Sequence, residues 1–168
     1  MTTPAPTTVQ VHRVYINAAA QRVWDAIVSP EWTSRYGYGG YIDIALTPGS
    51  SWQTKADEAM QQMGVTGAMV DGEVLEADPP RRLVQTWRMA MDPETAAEGF
   101  TRLTYDLEEF GGVTKLTVTH DLTGAPKLSV LTGGLMDTTP DMGAGGWPWV
   151  LSDLKSLLET GTAFTRPA

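Results

Sequence analysis

Residues 100–122, FTRLTYDLEEFGGVTKLTVTHDL, hold two runs rich in β-branched and aromatic residues on either side of Gly111-Gly112. A glycine pair between two such runs marks a two-residue hairpin, because both turn positions can take the left-handed backbone that a tight antiparallel connection needs. Phe100 to Phe110 and Val113 to Leu122 are therefore read as neighbouring strands. Side chains alternate along a strand, so Leu116, Val118 and His120 share one apolar face. His120 should point toward the interior near a strand end. Asp106 shares the face opposite Tyr105 and is expected at the surface.

The same rhythm extends upstream. Val70 to Glu76 is followed by the turn Ala77-Asp78-Pro79-Pro80 and a strand from Leu83 to Met91. Ile42, Ile44 and Leu46 alternate with Asp43 and Ala45, then Pro48-Gly49 turns the chain into a strand from Ser51 to Glu58. Val9 to Ile16 opens the series. Short strands joined by turns in this way predict an antiparallel meander of six or seven strands.

Helical periodicity flanks this run. Asn17 is a candidate N-cap for a helix carrying Val23, Trp24 and Ile27 on one face, ended by Ser29-Pro30. A second short turn spans Glu31 to Tyr36. Near the end of the chain, Thr139-Pro140-Asp141 is a helix start, Trp147, Val150, Leu151, Leu154, Leu157 and Leu158 form an apolar stripe, and Gly161 stands as the stop. Pro148 and the glycines at 143, 145 and 146 are expected to kink or weaken the first half of that helix. The predicted class is α+β, with the terminal helix as the only element long enough to cover the sheet.

A chain of 168 residues and 18.2 kDa suits one core. Residues 1–8 are Pro/Thr-rich and expected to be disordered, 9–161 to form a single domain, and 162–168 a tail. The formal charge of -8 disfavours phosphate backbones and anionic lipid, so neither nucleic acid nor membrane insertion is expected. Zero cysteines remove thiolate chemistry, and two histidines are too few for a multi-histidine metal site. No cofactor or metal is expected. A start without a basic cluster and apolar run predicts a cytoplasmic location.

Three stretches carry a resemblance: residues 16–27, INAAAQRVWDAI, with Ser29-Pro30-Glu31-Trp32; residues 72–84, GEVLEADPPRRLV, with Thr86-Trp87; and Gly146-Trp147 followed by residues 154–161, LKSLLETG. Together they resemble the START/Bet v 1-like helix-grip (SRPBCC) superfamily and, within it, the activator of Hsp90 ATPase homologue 1-like (AHSA1) family. The resemblance implies a curved sheet gripping the C-terminal helix, with a cavity for a hydrophobic or aromatic small molecule. Two departures are visible: Ala18-Ala19-Ala20 where a proline is usual, and Ser50-Ser51 where paired glycines are common. Stimulation of Hsp90 is not expected, because in the namesake it also depends on a separate N-terminal domain.

Against that expected cavity, Trp32, Tyr36, Tyr38 and Trp52 crowd the glycine-rich segment 37–40, while Trp87, Met89, Tyr105 and Trp147 sit on elements that should line it. Met136, with Leu128, Val130 and Leu131, precedes the long helix where a gate would sit. Each aromatic could instead be core filling, and for Trp24 that reading is preferred. His120 is either a proton acceptor or ligand donor, or a buried histidine held by hydrogen bonds. Glu108-Glu109 and Asp57-Glu58 read as solvated charge on strands, pointing to opposite faces. Three functions remain open: binding of a hydrophobic, aromatic or polyketide-like molecule; a polyketide cyclase or aromatase using His120; or self-resistance by sequestering a toxic natural product such as an enediyne. In the last case glycines near Gly133-Gly134 and Gly143 to Gly146 would be the reactive sites.

Overall fold

The computed structural model describes residues 8–135 and 145–167. β1 (Val9–Ile16) is followed by α1 (Ala20–Val28) and α2 (Pro30–Thr33), then β2 (Tyr41–Ile44) and β3 (Ser51–Lys55). Next come α3 (Glu58–Gln62), β4 (Ala68–Asp78), β5 (Arg82–Met89) and α4 (Pro93–Ala96). The hairpin β6 (Thr101–Phe110) and β7 (Val113–Asp121) leads to α5 (Pro126–Thr132), and α6 (Gly146–Thr160) ends the series.

All seven strands form one antiparallel sheet in the order β1-β7-β6-β5-β4-β3-β2. It is a meander from β2 to β7, with β1 closing on β7. The α+β helix-grip class expected from the sequence is the one observed. Leu75 is an extra residue on β4: Val74 faces Gln85 while Glu76 faces Val84. A bulge of this kind bends its strand, which helps to wrap the sheet.

One face of the sheet is apolar. Leu103 lies beside His120, Tyr105 beside Val118 and Leu107 beside Leu116 across β6 and β7; Leu83 and Gln85 of β5 face Tyr105 and Leu103. Ile16, Leu83, Leu103, Leu116 and Val118 are fully buried there, against Val23, Trp24 and Ile27 of α1 and Leu151, Leu154 and Leu158 of α6. The opposite face carries ion pairs, Arg82 with Asp106 and Glu76, Arg88 with Asp71, and Lys115 with Glu108. Such part-exposed pairs contribute little each.

Several local expectations need correction. Helix α1 starts at Ala20, with Ala19 rather than Asn17 at its cap. Its Ala20 N–H is satisfied by Glu109 Oε1 at 2.7 Å, and the Asn17 N–H by Glu159 Oε2 at 2.8 Å. Carboxylates from distant strand and helix thus replace the local cap, and Glu109 is a helix-capping anion more than solvated charge. The strand from Ser51 stops at Lys55, because Asp57 caps α3 by accepting from Met60 N. The Asp57-Glu58 pair therefore opens a helix. Asp92 and Pro93 start α4 in a similar way, Asp92 accepting from Glu94 N, in a segment that the sequence reading assigned to no element.

The terminal helix ends as expected, with Gly161 at φ +84° and its N–H on Leu157 O. Its expected start at residues 139–141 lies outside the described residues. Pro148 falls in the first turn of α6, where no intrahelical partner for an N–H exists, so it removes no hydrogen bond from the helix; Gly143 lies outside the described residues. Gly146 is required, since at φ +58° a Cβ would overlap the carbonyl oxygens of Thr132 and Leu131 where α5 meets α6. No helix among the described residues is long and apolar enough to cross a membrane.

Candidate functional site

The alternation of β5, β6 and β7 sets the site. Odd positions of β5 and β6 and even positions of β7 face α6, bringing Trp87, Thr101, Tyr105 and His120 to one patch. Trp147, in the first turn of α6, closes over it. The Trp87 and His120 rings meet edge to face at 5.2 Å, Trp147 meets His120 at 6.1 Å, and Tyr105 meets Trp147 at 6.1 Å. Such offsets let the positive rim of one ring meet the negative face of another.

His120 is completely buried. Thr101 Oγ1 donates its only proton to Trp87 O at 2.8 Å, so at its 2.7 Å contact with His120 Nε2 it can only accept. That fixes the proton on Nε2 and leaves Nδ1 to accept from Trp147 Nε1 at 3.2 Å. The imidazole is neutral with both nitrogens occupied. Burial, aided by the neighbouring His12 and opposed by Asp121, pushes its pKa down to about 3. His12 is half-buried and lowered by burial as well.

This has a measurable consequence. The unfolded histidine titrates near 6.5, so between 6.5 and about 3 the unfolded chain holds a proton that the folded one refuses. Stability from this group is complete above pH 6.5 and is lost as pH falls toward 3. His120→Gln should therefore lose about 2 kcal/mol less stability than the natural protein between pH 7.5 and 5, at 1.36 kcal/mol per unit of separation. Urea unfolding at the two pH values measures it; equal losses would mean that His120 is not held neutral.

The other expected residues are dispersed around this patch. Trp52 is buried and crosses Gly72, its Nε1 donating to Thr86 O at 3.0 Å. Tyr36 packs against the same core and donates to Ala26 O at 2.8 Å. Burial and the charge of Asp153 push the Tyr36 phenol far up, and burial with Tyr36 nearby does the same to Tyr105. Trp32 is half-buried at the rim, under the guanidinium groups of Arg35 and Arg22 at 4.7 and 5.8 Å. Tyr38 reaches away to the start of α6, accepting from Gly145 N at 3.0 Å. Met89 joins Trp87 against a second cluster of Leu122, Ala125 and Leu128. Met136 lies outside the described residues.

Two polar residues escaped the sequence reading. Gln85 sits between Leu83 and Trp87 on the inward face, 2% exposed, and its Oε1 has no hydrogen-bond partner. Leaving such an atom unpaired costs about 1–3 kcal/mol. A polar residue at an apolar-face position was its only advance signal. Asp153, fully buried on α6, accepts from Gly37 N at 2.8 Å, Phe164 N at 2.7 Å, Thr165 N at 3.3 Å and the Thr165 hydroxyl. It ties the glycine-rich loop and the residues after α6 to the helix.

Open grooves lie elsewhere. One of about 750 Å³ runs beside Tyr41, Lys55 and α3, and another of about 490 Å³ lies over the ion pairs of the outer sheet face. Neither contains any expected site residue. The inward patch differs from them in kind. Trp87 and Tyr105 of the sheet and Trp147 of α6 remain half-buried, among neighbours such as Leu103 and Val118 that are fully buried.

Comparison with known proteins agrees with this architecture. Solved structures of similar fold include protein MLL2253 of Mesorhizobium loti (22% identity, TM-score 0.64, covering 90% of this chain and 96% of that one). DynU16, a protein of the dynemicin biosynthetic locus, has 22% identity and a TM-score of 0.66, covering 96% of this chain and 50% of that one. The Aha1 dimer of Colwellia psychrerythraea has 19% identity and a TM-score of 0.60, covering 92% and 98%. No curated protein matches the sequence. A family model described as activator of Hsp90 ATPase homolog 1-like protein matches residues 17–159. With that match spanning most of its length, and the sheet and terminal helix in the family's arrangement, the chain belongs to the activator of Hsp90 ATPase homolog 1-like protein family.

Proposed function

We propose that this protein binds a flat, apolar, aromatic small molecule between the inward face of the sheet and α6, and that binding is its activity. The observation that carries the reading is the set of half-buried rings of Trp87, Tyr105 and Trp147. Rings that keep accessible surface on a face otherwise sealed by Leu83, Leu103 and Val118 offer large apolar area with polar tips, the usual makeup of a site for an aromatic ligand. Fold-level likeness supports the same class of ligand by analogy.

The cyclase alternative is less favoured. It needs His120 with Tyr36, Tyr38 or Tyr105 to move protons near neutrality. Both nitrogens of His120 are already engaged, and burial keeps the phenols of Tyr36 and Tyr105 protonated. Self-resistance by sequestration is a form that the binding could take, and the likeness to a protein of the dynemicin locus motivates testing such compounds. Consumption of the protein has weaker grounds: Gly134 and Gly146 pack closely against neighbouring backbone, which is reason enough for glycine there.

A thermal-shift screen of aromatic polyketides, flavonoids and fatty acids, beside native mass spectrometry, tests this. An aromatic ligand at a hundredfold excess over Kd should raise Tm by about 5–10 °C, from roughly 2.7 kcal/mol of linkage. Trp147→Ala should abolish the shift. Indifference to every aromatic class, or a response to fatty acids alone, would overturn the reading.

A further inference from the structure

We propose that Gln85 is the polar anchor of the interior site, and that the ligand is an aromatic molecule bearing a hydrogen-bond donor, a phenolic hydroxyl or ring N–H, directed at Gln85 Oε1. This rests on the interior-binding reading above and narrows it to a ligand class.

Several polar side chains of the inward face are paired within the fold. His120 is bonded at both nitrogens, Thr101 donates to Trp87 O, and Thr114 donates to Ala18 O at 2.7 Å. Gln10 donates to Ser129 O at 2.8 Å and accepts from Thr132 at 3.0 Å, and the Trp52 indole is satisfied by Thr86 O. Among the described residues Gln85 Oε1 is the buried side-chain oxygen left out. Its place in the register is central. Leu103 and Val74 are its partners on the two adjoining strands, and Leu83 and Trp87 flank it on its own. A leucine there would complete the apolar face with no orphan. A glutamine makes sense where a bound donor supplies the missing proton.

The chemistry follows from what is missing. An amide oxygen accepts and cannot donate. A pure hydrocarbon would leave it unpaired, and an ether or ketone would set a second acceptor against it. A phenol meets it while its ring lies on the aromatic walls.

Isothermal titration with 2-naphthol, 2-methoxynaphthalene and 2-methylnaphthalene tests this, because the three share a ring system and differ in donor capacity. The natural protein should bind 2-naphthol about tenfold tighter than 2-methoxynaphthalene. In Gln85→Leu that ratio should collapse toward one, with 2-methylnaphthalene bound as well as before or better. Gln85→Met is the backup should the leucine variant misfold, and the ratio in the natural protein needs no variant. Equal binding of all three, unchanged in the variants, would overturn the role of Gln85 and leave the interior site standing. If none of the three binds, the interior site falls and the anchor with it.

Discussion

Asp153→Ala is expected to lower the melting temperature by about 6–20 °C, from a loss of about 3–5 kcal/mol. Asp153 is fully buried in the middle of α6, and its two oxygens collect donors from two separate segments. Oδ2 takes the Gly37 N–H and the Thr165 hydroxyl, while Oδ1 takes the Phe164 and Thr165 N–H groups. Truncation strands these donors away from water, a cost larger than the net worth of any one bond. It also releases the Gly37 N–H, leaving the loop held at this residue through its carbonyl, by Arg166 Nη1 at 3.1 Å. Asp153→Asn keeps the volume and one acceptor, so it should fall between alanine and the natural residue. Thermal unfolding followed by circular dichroism ranks the three, and hydrogen exchange at the Gly37 and Phe164 amides should accelerate in the same order. An alanine variant within about 1 kcal/mol of the natural protein would show that these bonds are replaced by water.

Gly72→Ala should be nearly as damaging, at about 3 kcal/mol or more, the upper end of overpacking costs. Gly72 lies in the long strand β4 at an ordinary strand position, so its reason is proximity. A Cβ there would overlap Thr86 O on β5 and approach Trp52 Nε1 to 2.6 Å. Those are the two atoms of the Trp52 to Thr86 hydrogen bond. The strand must therefore move, or the indole must give up its bond to Thr86 O and its place in the core. The indole N–H resonance of Trp52 should shift and its exchange with solvent quicken, together with the loss of stability. Retention of both at the natural values would mean that the sheet yields at this point without cost.

The inward orientation of His120, Leu116 and Val118 was legible because strand alternation is a local property, true whatever the strand pairs with. For the same reason the hairpin at Gly111-Gly112 and the stop at Gly161 stand where the residues put them. Helix starts were less legible. Asn17 is a good capping residue, yet α1 begins at Ala20, where Glu109 arrives from β6. A cap supplied across 89 residues leaves no trace in local spacing. The helix α3 was hidden by a weak contest between a fading strand and Asp57, which the capping bond to Met60 decides.

At the site, composition placed aromatic rings on inward-facing elements, but register chose which of them meet. Trp87 and Trp147 meet His120 and Tyr105 meets Trp147, whereas Tyr38 serves the start of α6 and Trp32 stays at the rim beneath two arginines. The protonation of His120 was out of reach from the chain alone, since it follows from where Thr101 sends its single proton. Gln85 and Asp153 make the division plain. Both went unremarked in the sequence, where their only signal is a polar residue at an apolar-face position. That Asp153 is satisfied by residues 116 and 11 positions away, while Gln85 Oε1 is left unpaired, depends on distances between segments that only folding brings together. Periodicity acts through neighbours along the chain and sets which way a side chain faces; hydrogen bonds act through space, so what it finds there is decided by the tertiary structure.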